Sequence, residues 1–397
     1  MNTQELAWLR TPLGSEATEQ ATALLAAGSD ELRVIDQLRK TCEPANGRAA
    51  LALALGRRTA AGKFPDGQRL FCDRPAAEQA SSELVASHTA QRFQGAPRIA
   101  DLGSGMGGDA LALARYAPVV AVDLDPARAA MTAANADLRG LAARIESRVA
   151  NLVDYQPSID GELAWLDPDR RDANGRVLEP QRWSPPLSDA IEVARRFAGA
   201  GIKLAPGIER DLLPPDAEIE FVSLDGRLVE AVLWLGTLAR HRRRATVLTS
   251  EGTSASLAGD PDLPGARVAA VGRYLLDPDP AVGRAQLIGS LATTLDLWQL
   301  DQRIAYLSGD EPIASPFARR FRVAESHPFS ERRLLDRLRA LDASRIEVMR
   351  RGSPVETNAL ETRLGSQLSG TQLFTVALTR VGGQHVAIIC QRERDDW

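Results

Sequence analysis

Hydrophobic residues recur every three to four positions through the first 92 residues, and turn residues separate the recurring segments. That spacing places apolar side chains on one face of an α-helix. It predicts helices at 21–27, 32–38 and 49–55, followed by a helix from 74 to 88. Residues 1–92 are therefore predicted to form a helical N-terminal region.

From residue 93 onward, short apolar runs alternate with segments of helical spacing. Such alternation is typical of a doubly wound α/β fold with a mostly parallel sheet. The last two runs are joined by Asp225-Gly226, a pair that favours a tight hairpin turn and so predicts an antiparallel final strand. Residues 93–240 thus predict a seven-stranded sheet, with strands near 98–101, 119–123, 144–149, 163–166, 201–205, 219–223 and 229–235 and helices at 126–138 and 190–197.

The remaining chain divides into two predicted parts. Residues 249–265 are rich in Ser, Gly, Asp and Pro, as in a linker, and helices are predicted from 280 to 291 and from 295 to 307. We interpret 241–315 as a connecting subdomain. Residues 316–397 predict a small α/β domain, with strands at 321–324 and 345–349, helices at 331–341 and 357–364, and a hairpin of 373–380 with 384–390.

Composition narrows the class of protein. The chain has 397 residues, 44% of them hydrophobic and 25% charged, which indicates a globular protein of more than one domain. Its formal net charge of -4 excludes a binder that is basic throughout, so any nucleic-acid surface must be local. The three cysteines match no disulfide framework or metal site, and no apolar segment resembles a signal or membrane anchor. We expect a soluble cytoplasmic protein without a bound metal.

The most informative motif is a glycine-rich loop between the first two predicted strands. Gly103, Gly105 and Gly108 fit the spacing of dinucleotide-binding loops, but that spacing alone is weak evidence. Asp101 ends the first strand just before the glycines, where its carboxylate would repel a pyrophosphate. The same carboxylate would attract the ammonium and sulfonium groups of S-adenosylmethionine. The loop therefore favours that cofactor.

Two further strand ends complete the predicted cofactor site. Asp123 ends the second strand, where a carboxylate can accept hydrogen bonds from ribose hydroxyls. Asn151 follows the third strand, where an amide can read the adenine amino group. The predicted cofactor residues are Asp101, Gly103, Ser104, Gly105, Gly107, Asp109, Asp123, Leu124 and Asn151.

Asp101-Leu-Gly-Ser-Gly-Met-Gly107 together with Asp123 resembles the cofactor motifs of class I S-adenosylmethionine-dependent methyltransferases. The resemblance implies the methyltransferase fold for the central sheet, and the terminal hairpin is also characteristic of that fold.

The fourth predicted strand ends in Asp167-Pro168-Asp169-Arg170-Arg171, across the crevice from the glycine loop. This position resembles the Asp-Pro-Pro-aromatic motif of methyltransferases that act on base amino groups. Here Asp169 replaces the second proline and Arg170 replaces the aromatic residue. Trp183 is a candidate to supply the missing stacking surface, and packing beneath a loop is its alternative fate. The predicted acceptor residues are Asp167, Pro168, Asp169 and Arg170.

The C-terminal part is locally basic. Residues 315–352 contain ten arginines and five acids, an asymmetry that suits a phosphate backbone, although a solvated helix face explains part of it. Motifs such as Leu378-Thr-Arg-Val-Gly-Gly383 resemble the THUMP-like C-terminal domain of a bacterial group of class I methyltransferases. That group usually has Asp-Pro-Ala-Arg-Arg where this chain has Asp167 to Arg171. The resemblance implies a structured RNA, tRNA or rRNA, as the substrate.

We therefore predict an S-adenosylmethionine-dependent methyltransferase that modifies RNA and binds it through the C-terminal arginine-rich face. One alternative is a small-molecule methyltransferase that uses the C-terminal domain for packing or dimerisation. A nicotinamide-dependent oxidoreductase would leave Asp101 unexplained, and a binding protein without catalysis would retain the C-terminal domain.

Overall fold

The computed structural model describes residues 1–172, 175–177, 179–261 and 266–393, without the side chains of residues 171, 172, 175 and 176. The side chain of Arg171, the last residue of the predicted acceptor segment, therefore lies outside the described residues. The chain divides into two compact units: residues 1–217 with 231–240, and residues 218–230 with 241–397. Among the described helices, none is long and apolar enough to cross a membrane.

The N-terminal region is helical, as predicted. The predicted helix from 74 to 88 is two helices, because Ser82 accepts a hydrogen bond from the Val85 amide and so caps a new helix after a break at Ala80. The helices of this region are α1 Thr3–Leu9, α2 Pro12–Ala26, α3 Glu31–Leu38, α4 Pro44–Ala60, α5 Arg74–Gln79 and α6 Glu83–Gln91.

The central sheet follows, with strands and helices in the predicted alternation. Its strands are β1 Ile99–Leu102, β2 Val119–Asp123, β3 Ile145–Val149, β4 Leu163–Leu166, β7 Gly199–Leu204, β8 Glu218–Leu224, β9 Arg227–Gly236, β10 Arg243–Leu248 and β11 Ser254–Gly259, and a separate ribbon pairs β5 Arg171–Asp172 with β6 Gly175–Arg176. Its helices are α7 Gly108–Leu113, α8 Pro126–Leu138 and α9 Leu187–Ala194.

The prediction of seven strands was wrong, since the sheet has nine in the order β11-β10-β8-β9-β7-β4-β1-β2-β3. The additional strands, β10 and β11, come from residues that were assigned to the connecting subdomain and its linker. Ala245, Val247 and Leu248 of β10 are buried, and β10 pairs parallel to β8 and antiparallel to β11. The antiparallel pairing of β7 with β9 is as predicted. The sheet is therefore mixed.

Local sequence explains the elements that were predicted well. Helix α8 begins at Pro126 because the Asp125 side chain accepts a hydrogen bond from the Ala127 amide. The turn between β8 and β9 places Asp225 at φ 49° and Gly226 at φ 74°, which suits an Asp-Gly pair.

The second unit contains a seven-stranded sheet of its own, in the order β13-β14-β12-β15-β18-β17-β16. Its strands are β12 Tyr274–Pro278, β13 Trp298–Asp301, β14 Ile304–Gly309, β15 Ala318–Pro328, β16 Ala343–Arg350, β17 Gln372–Val381 and β18 Gln384–Arg392, and its helices are α10 Pro280–Ala285, α11 Ile288–Thr294, α12 Glu331–Ala340 and α13 Thr357–Gly365.

The helix predicted from 295 to 307 was wrong, because these residues form the β13–β14 hairpin. Strand β12 precedes residue 315 yet pairs with β15, which follows it. The predicted connecting subdomain and C-terminal domain therefore share one sheet, and the domain boundaries remain a prediction.

A buried amide ties the N-terminal region to the glycine-rich loop. The Nδ2 atom of Asn135, in α8, donates to the carbonyl oxygens of Phe71 and Met106 at 3.0 and 2.9 Å, and its Oδ1 accepts from the Phe71 amide. Phe64 also packs over the loop, since a Cβ on Gly108 would lie 3.3 Å from its ring. The helical region thus fixes one side of the loop.

Candidate functional site

The glycine-rich loop links β1 to α7 and lies close to the end of β4. Gly103, Gly105 and Gly107 all have positive φ, the conformation that glycine adopts most readily. A Cβ on Gly103 would lie 2.6 Å from the Asp167 carbonyl oxygen. Glycine is therefore required here for the loop to approach the predicted acceptor segment.

Asp123 supports the loop from the end of β2. Its Oδ2 accepts a hydrogen bond from the Gly105 amide at 2.8 Å, and its Oδ1 accepts from the Asp125 amide at 2.9 Å. Burial raises the pKa of the Asp123 carboxyl, partly offset by these two bonds. Each carboxylate oxygen keeps a second lone pair, so the predicted ribose contact is compatible with this geometry.

The other predicted cofactor residues lie at the same strand ends. The Leu124 side chain is 68% exposed, an unusual position for leucine that offers an apolar surface beside Asp123. Asn151 follows β3, and its Oδ1 accepts from the Val153 amide at 3.1 Å. Ser104 is buried and receives a 3.4 Å hydrogen bond from the Thr132 hydroxyl. Their roles in cofactor binding remain predictions.

The Asp101 carboxylate is buried among other acids. It is 1% exposed, and within the described residues neither carboxylate oxygen has a hydrogen-bond partner. Burial raises its pKa well above the usual range, and the nearby carboxylates of Asp109, Asp167 and Asp123 raise it further. A cationic hydrogen-bond donor is what this group needs to remain ionised.

Lys203 was not predicted as a site residue, but it lies at the centre of this acidic cluster. Its Nζ donates to Asp167 Oδ2 at 2.7 Å and lies 3.9 Å from Asp109 Oδ2. The lysine side chain is only 5% exposed, against 14% for Asp109 and 23% for Asp167. Burial raises the pKa of Asp109 and the Lys203 charge lowers it. A lysine within the otherwise apolar strand β7 was the available signal, because lysine is rarely buried without a partner.

The structure places the predicted acceptor residues beside the glycine loop, at the end of β4. Pro168 is buried, and the Asp169 amide donates to the Ser184 carbonyl oxygen. The Arg170 guanidinium lies 6.0 Å from the centre of the Trp183 ring. Trp183 is 3% exposed and donates through Nε1 to the Val177 carbonyl oxygen, so its ring packs beneath the loop.

The charge of the site decides which ligand it fits. The carboxylates of Asp109, Asp123 and Asp167 act on the buried Asp101, and the Lys203 ammonium opposes their effect there. Such a cluster repels a pyrophosphate and attracts a cation. S-adenosylmethionine, with an ammonium and a sulfonium, fits these residues, and a nicotinamide dinucleotide does not. No group of three or more metal-ligating side chains was found in the described part of the chain.

The names of two curated relatives contain the same cofactor. Two curated Mycobacterium tuberculosis proteins, from strains CDC 1551 and H37Rv, are each described as an uncharacterized S-adenosylmethionine-dependent methyltransferase. Each is 35% identical over 358 residues, which span 85% of this chain and 95% of the relative. The THUMP domain-like family matches residues 318–392.

A solved structure shares the fold. A crystal structure of a Porphyromonas gingivalis W83 protein, presumed to be a methyltransferase, has a TM-score of 0.77 and 18% identity, over 99% of this chain and 100% of that chain.

The α/β fold and the acidic site at the glycine loop are those of an enzyme that binds S-adenosylmethionine. By its 35% identity across most of both chains, the protein belongs to the family of S-adenosylmethionine-dependent methyltransferases, and S-adenosylmethionine is its cofactor.

Replacing Asp123 with alanine should weaken cofactor binding by about 2 kcal/mol, because charge-assisted hydrogen bonds to the ribose would be lost. Calorimetric titration with S-adenosylmethionine measures this loss. Asp154→Ala is a suitable control, since it removes a carboxylate that follows β3. Unchanged affinity in a folded Asp123→Ala protein would place the ribose elsewhere.

Cofactor affinity should rise with pH through the raised pKa of Asp101, because only the ionised carboxylate can pair with an ammonium. Binding below that pKa should release a proton, which calorimetry in buffers of different ionisation enthalpy detects. The free protein should lose stability as the pH rises through the same pKa, since its folded-state value lies above the unfolded one. Asp101→Asn should abolish both effects. Equal proton release by wild type and Asp101→Asn at every pH tested would contradict the assignment.

Proposed function

We propose that this enzyme transfers the methyl group of S-adenosylmethionine to a structured RNA, tRNA or rRNA. The observation that carries the proposal is the match of residues 318–392 to the THUMP domain-like family. THUMP domains accompany RNA-modifying enzymes, and the resemblance of this domain to them supports an RNA substrate by analogy. The excess of arginine over acids in residues 315–352 supports the same substrate class.

Asp167 is the residue we assign to the methyl acceptor. Its Oδ2 is bound by Lys203, which leaves Oδ1 to accept a hydrogen bond from the accepting atom and raise its nucleophilicity. The cofactor supplies an electrophilic methyl carbon bonded to a sulfonium. Pro168 is buried and fixes the turn that presents this carboxylate. The acidic cluster also stabilises positive charge that develops on the acceptor as the methyl carbon bonds to it.

A small-molecule acceptor is the second candidate, and one observation favours it. Several arginines of the C-terminal region are already paired with acids: Arg337 with Glu325, and Arg363 with Glu331. The positive charge available to an RNA backbone is thus smaller than the sequence count indicates. In contrast, Arg332 and Arg333 of α12 are exposed.

The decisive experiment compares modified nucleosides in total RNA from strains with and without the gene. The purified enzyme, with tritiated S-adenosylmethionine, should then label RNA from the deletion strain and leave RNA from the parent strain unlabelled. One modified nucleoside that is missing from the deletion strain and restored in vitro would support the proposal. Label that enters only small metabolites would overturn it in favour of the second candidate.

A further inference from the structure

A buried aspartate in the second unit accepts hydrogen bonds from two arginines that are far apart in the sequence. Asp277, in β12, is 7% exposed. Its Oδ2 accepts a hydrogen bond from Arg319 Nη2 at 2.6 Å, and its Oδ1 accepts one from Arg351 Nε at 2.8 Å. Arg319 lies opposite Asp277 on β15, and Arg351 directly follows β16. We call these three residues the arginine triad.

Both guanidinium groups are fixed by additional contacts. Arg351 Nη2 donates to the Pro278 carbonyl oxygen at 2.8 Å, and its guanidinium lies 5.5 Å from the centre of the Tyr306 ring. The Arg319 guanidinium lies 5.8 Å from the centre of the Phe321 ring. Both side chains are therefore ordered before a ligand binds. Binding would cost little further side-chain entropy.

The charges of the arginine triad do not cancel. Two arginines face one aspartate, so these three residues carry one net positive charge, while the nearby acids Glu347 and Asp279 also interact with Arg319. Arg319 remains 45% exposed and Arg351 29% exposed. One arginine would suffice to neutralise Asp277. The second arginine thus presents fixed, partly exposed donors, a geometry that suits the oxygens of a phosphate.

We propose that the arginine triad binds a backbone phosphate of the RNA substrate. The proposal rests on the proposed function. It assigns one phosphate contact to named residues within the predicted arginine-rich face. Arg319 and Arg351 come from the THUMP domain-like range, and Asp277 comes from the preceding segment. The phosphate would be held by Arg319, the more exposed of the two arginines.

The test uses the full-length protein and bulk tRNA as the probe, with binding followed by fluorescence anisotropy across a range of KCl concentrations. Arg319→Gln removes the positive charge but retains an amide that can donate to Asp277. The hydrogen bond from Arg351 to Asp277 remains. We expect about five-fold weaker binding near 100 mM KCl, and a salt dependence whose slope falls by roughly 0.7 to 0.9, the contribution of one phosphate contact.

The matched control is Arg363→Gln. Arg363 lies in the same unit, pairs with a single acid, Glu331, and is 53% exposed. We expect wild-type affinity and slope from this variant. If Arg319→Gln matches wild type, or if both variants weaken binding equally, the proposed site is wrong.

Asp277→Asn separates phosphate binding from a purely structural role. The substitution raises the net charge of the triad, so a folded variant should bind tRNA more tightly than wild type. Weaker or unchanged binding by the folded variant would overturn the proposal. Circular dichroism confirms folding for each variant.

Two further arms identify the source of the phosphate and separate this inference from the proposed function. Inorganic phosphate is added as a competitor in the same buffer. If it displaces tRNA at a concentration far below that of KCl, the site binds free phosphate and the RNA assignment is wrong. RNA methylation is measured in parallel. Methylation by wild type with unchanged tRNA binding by Arg319→Gln would reject the site alone, and absence of RNA methylation by wild type would reject the proposed function.

Discussion

Asp167→Ala is expected to lower the turnover number of methyl transfer by at least about 100-fold, because the acceptor would lose the group that orients and activates it. Cofactor affinity should change only a few-fold, since Asp167 is assigned to the acceptor and not to the cofactor. Single-turnover methylation of RNA from the deletion strain measures the rate, and calorimetry measures the affinity. Asp167→Asn, which keeps an oxygen for Lys203, should lose less activity than the alanine variant.

Asp169→Ala is the matched comparison. Asp169 lies two residues further along the same segment and is exposed, whereas the Asp167 side chain is 23% exposed and bonded to Lys203. We expect a much smaller loss of rate from Asp169→Ala. If Asp169→Ala abolished turnover and Asp167→Ala did not, the catalytic assignment would pass from one carboxylate to the other.

The sequence predicted the parts of the fold that local chemistry determines. Helix α8 has the predicted bounds because Asp125 and Pro126 define its start, and the Asp225-Gly226 turn requires positive φ at both residues. The position of the glycine loop between the first strand and the following helix was predicted correctly, because Asp101 and the glycines are adjacent in the chain.

The errors occurred where tertiary pairing decides the structure. Apolar residues at 295, 297, 298 and 300 fit a helical spacing, yet Trp298 and Leu300 are buried in a strand that pairs with β14. Strand β10 was missed because its partners, β8 and β11, supply the hydrogen bonds that stabilise it. Lys203 was missed for a related reason: its bond to Asp167 joins residues 36 positions apart. The lysine in an apolar strand indicated a buried partner, but sequence spacing could not identify Asp167 as that partner.

Lys203→Met is expected to lower the free energy of unfolding by about 3 kcal/mol, because removing one member of a buried ion pair leaves the other charge uncompensated. Asp101 and Asp109 are near enough to Lys203 for its charge to lower their pKa values, so several carboxylates lose their nearby cation at once. Urea unfolding monitored by circular dichroism measures the loss. Lys40→Met is the control, since Lys40 is exposed and its removal should change stability by less than about 0.5 kcal/mol.

The pH dependence of this loss tests its electrostatic origin. At neutral pH the variant retains buried carboxylates without their cation, and in acid those carboxylates become protonated and need none. The wild-type protein has the opposite problem in acid, because Lys203 then lacks an ionised partner. The stability difference between wild type and Lys203→Met should therefore shrink as the pH falls through the raised pKa values of Asp101 and Asp109. A difference that stays constant with pH would show that Lys203 stabilises the protein through the packing of its aliphatic chain, and the acidic cluster would then need another source of compensation.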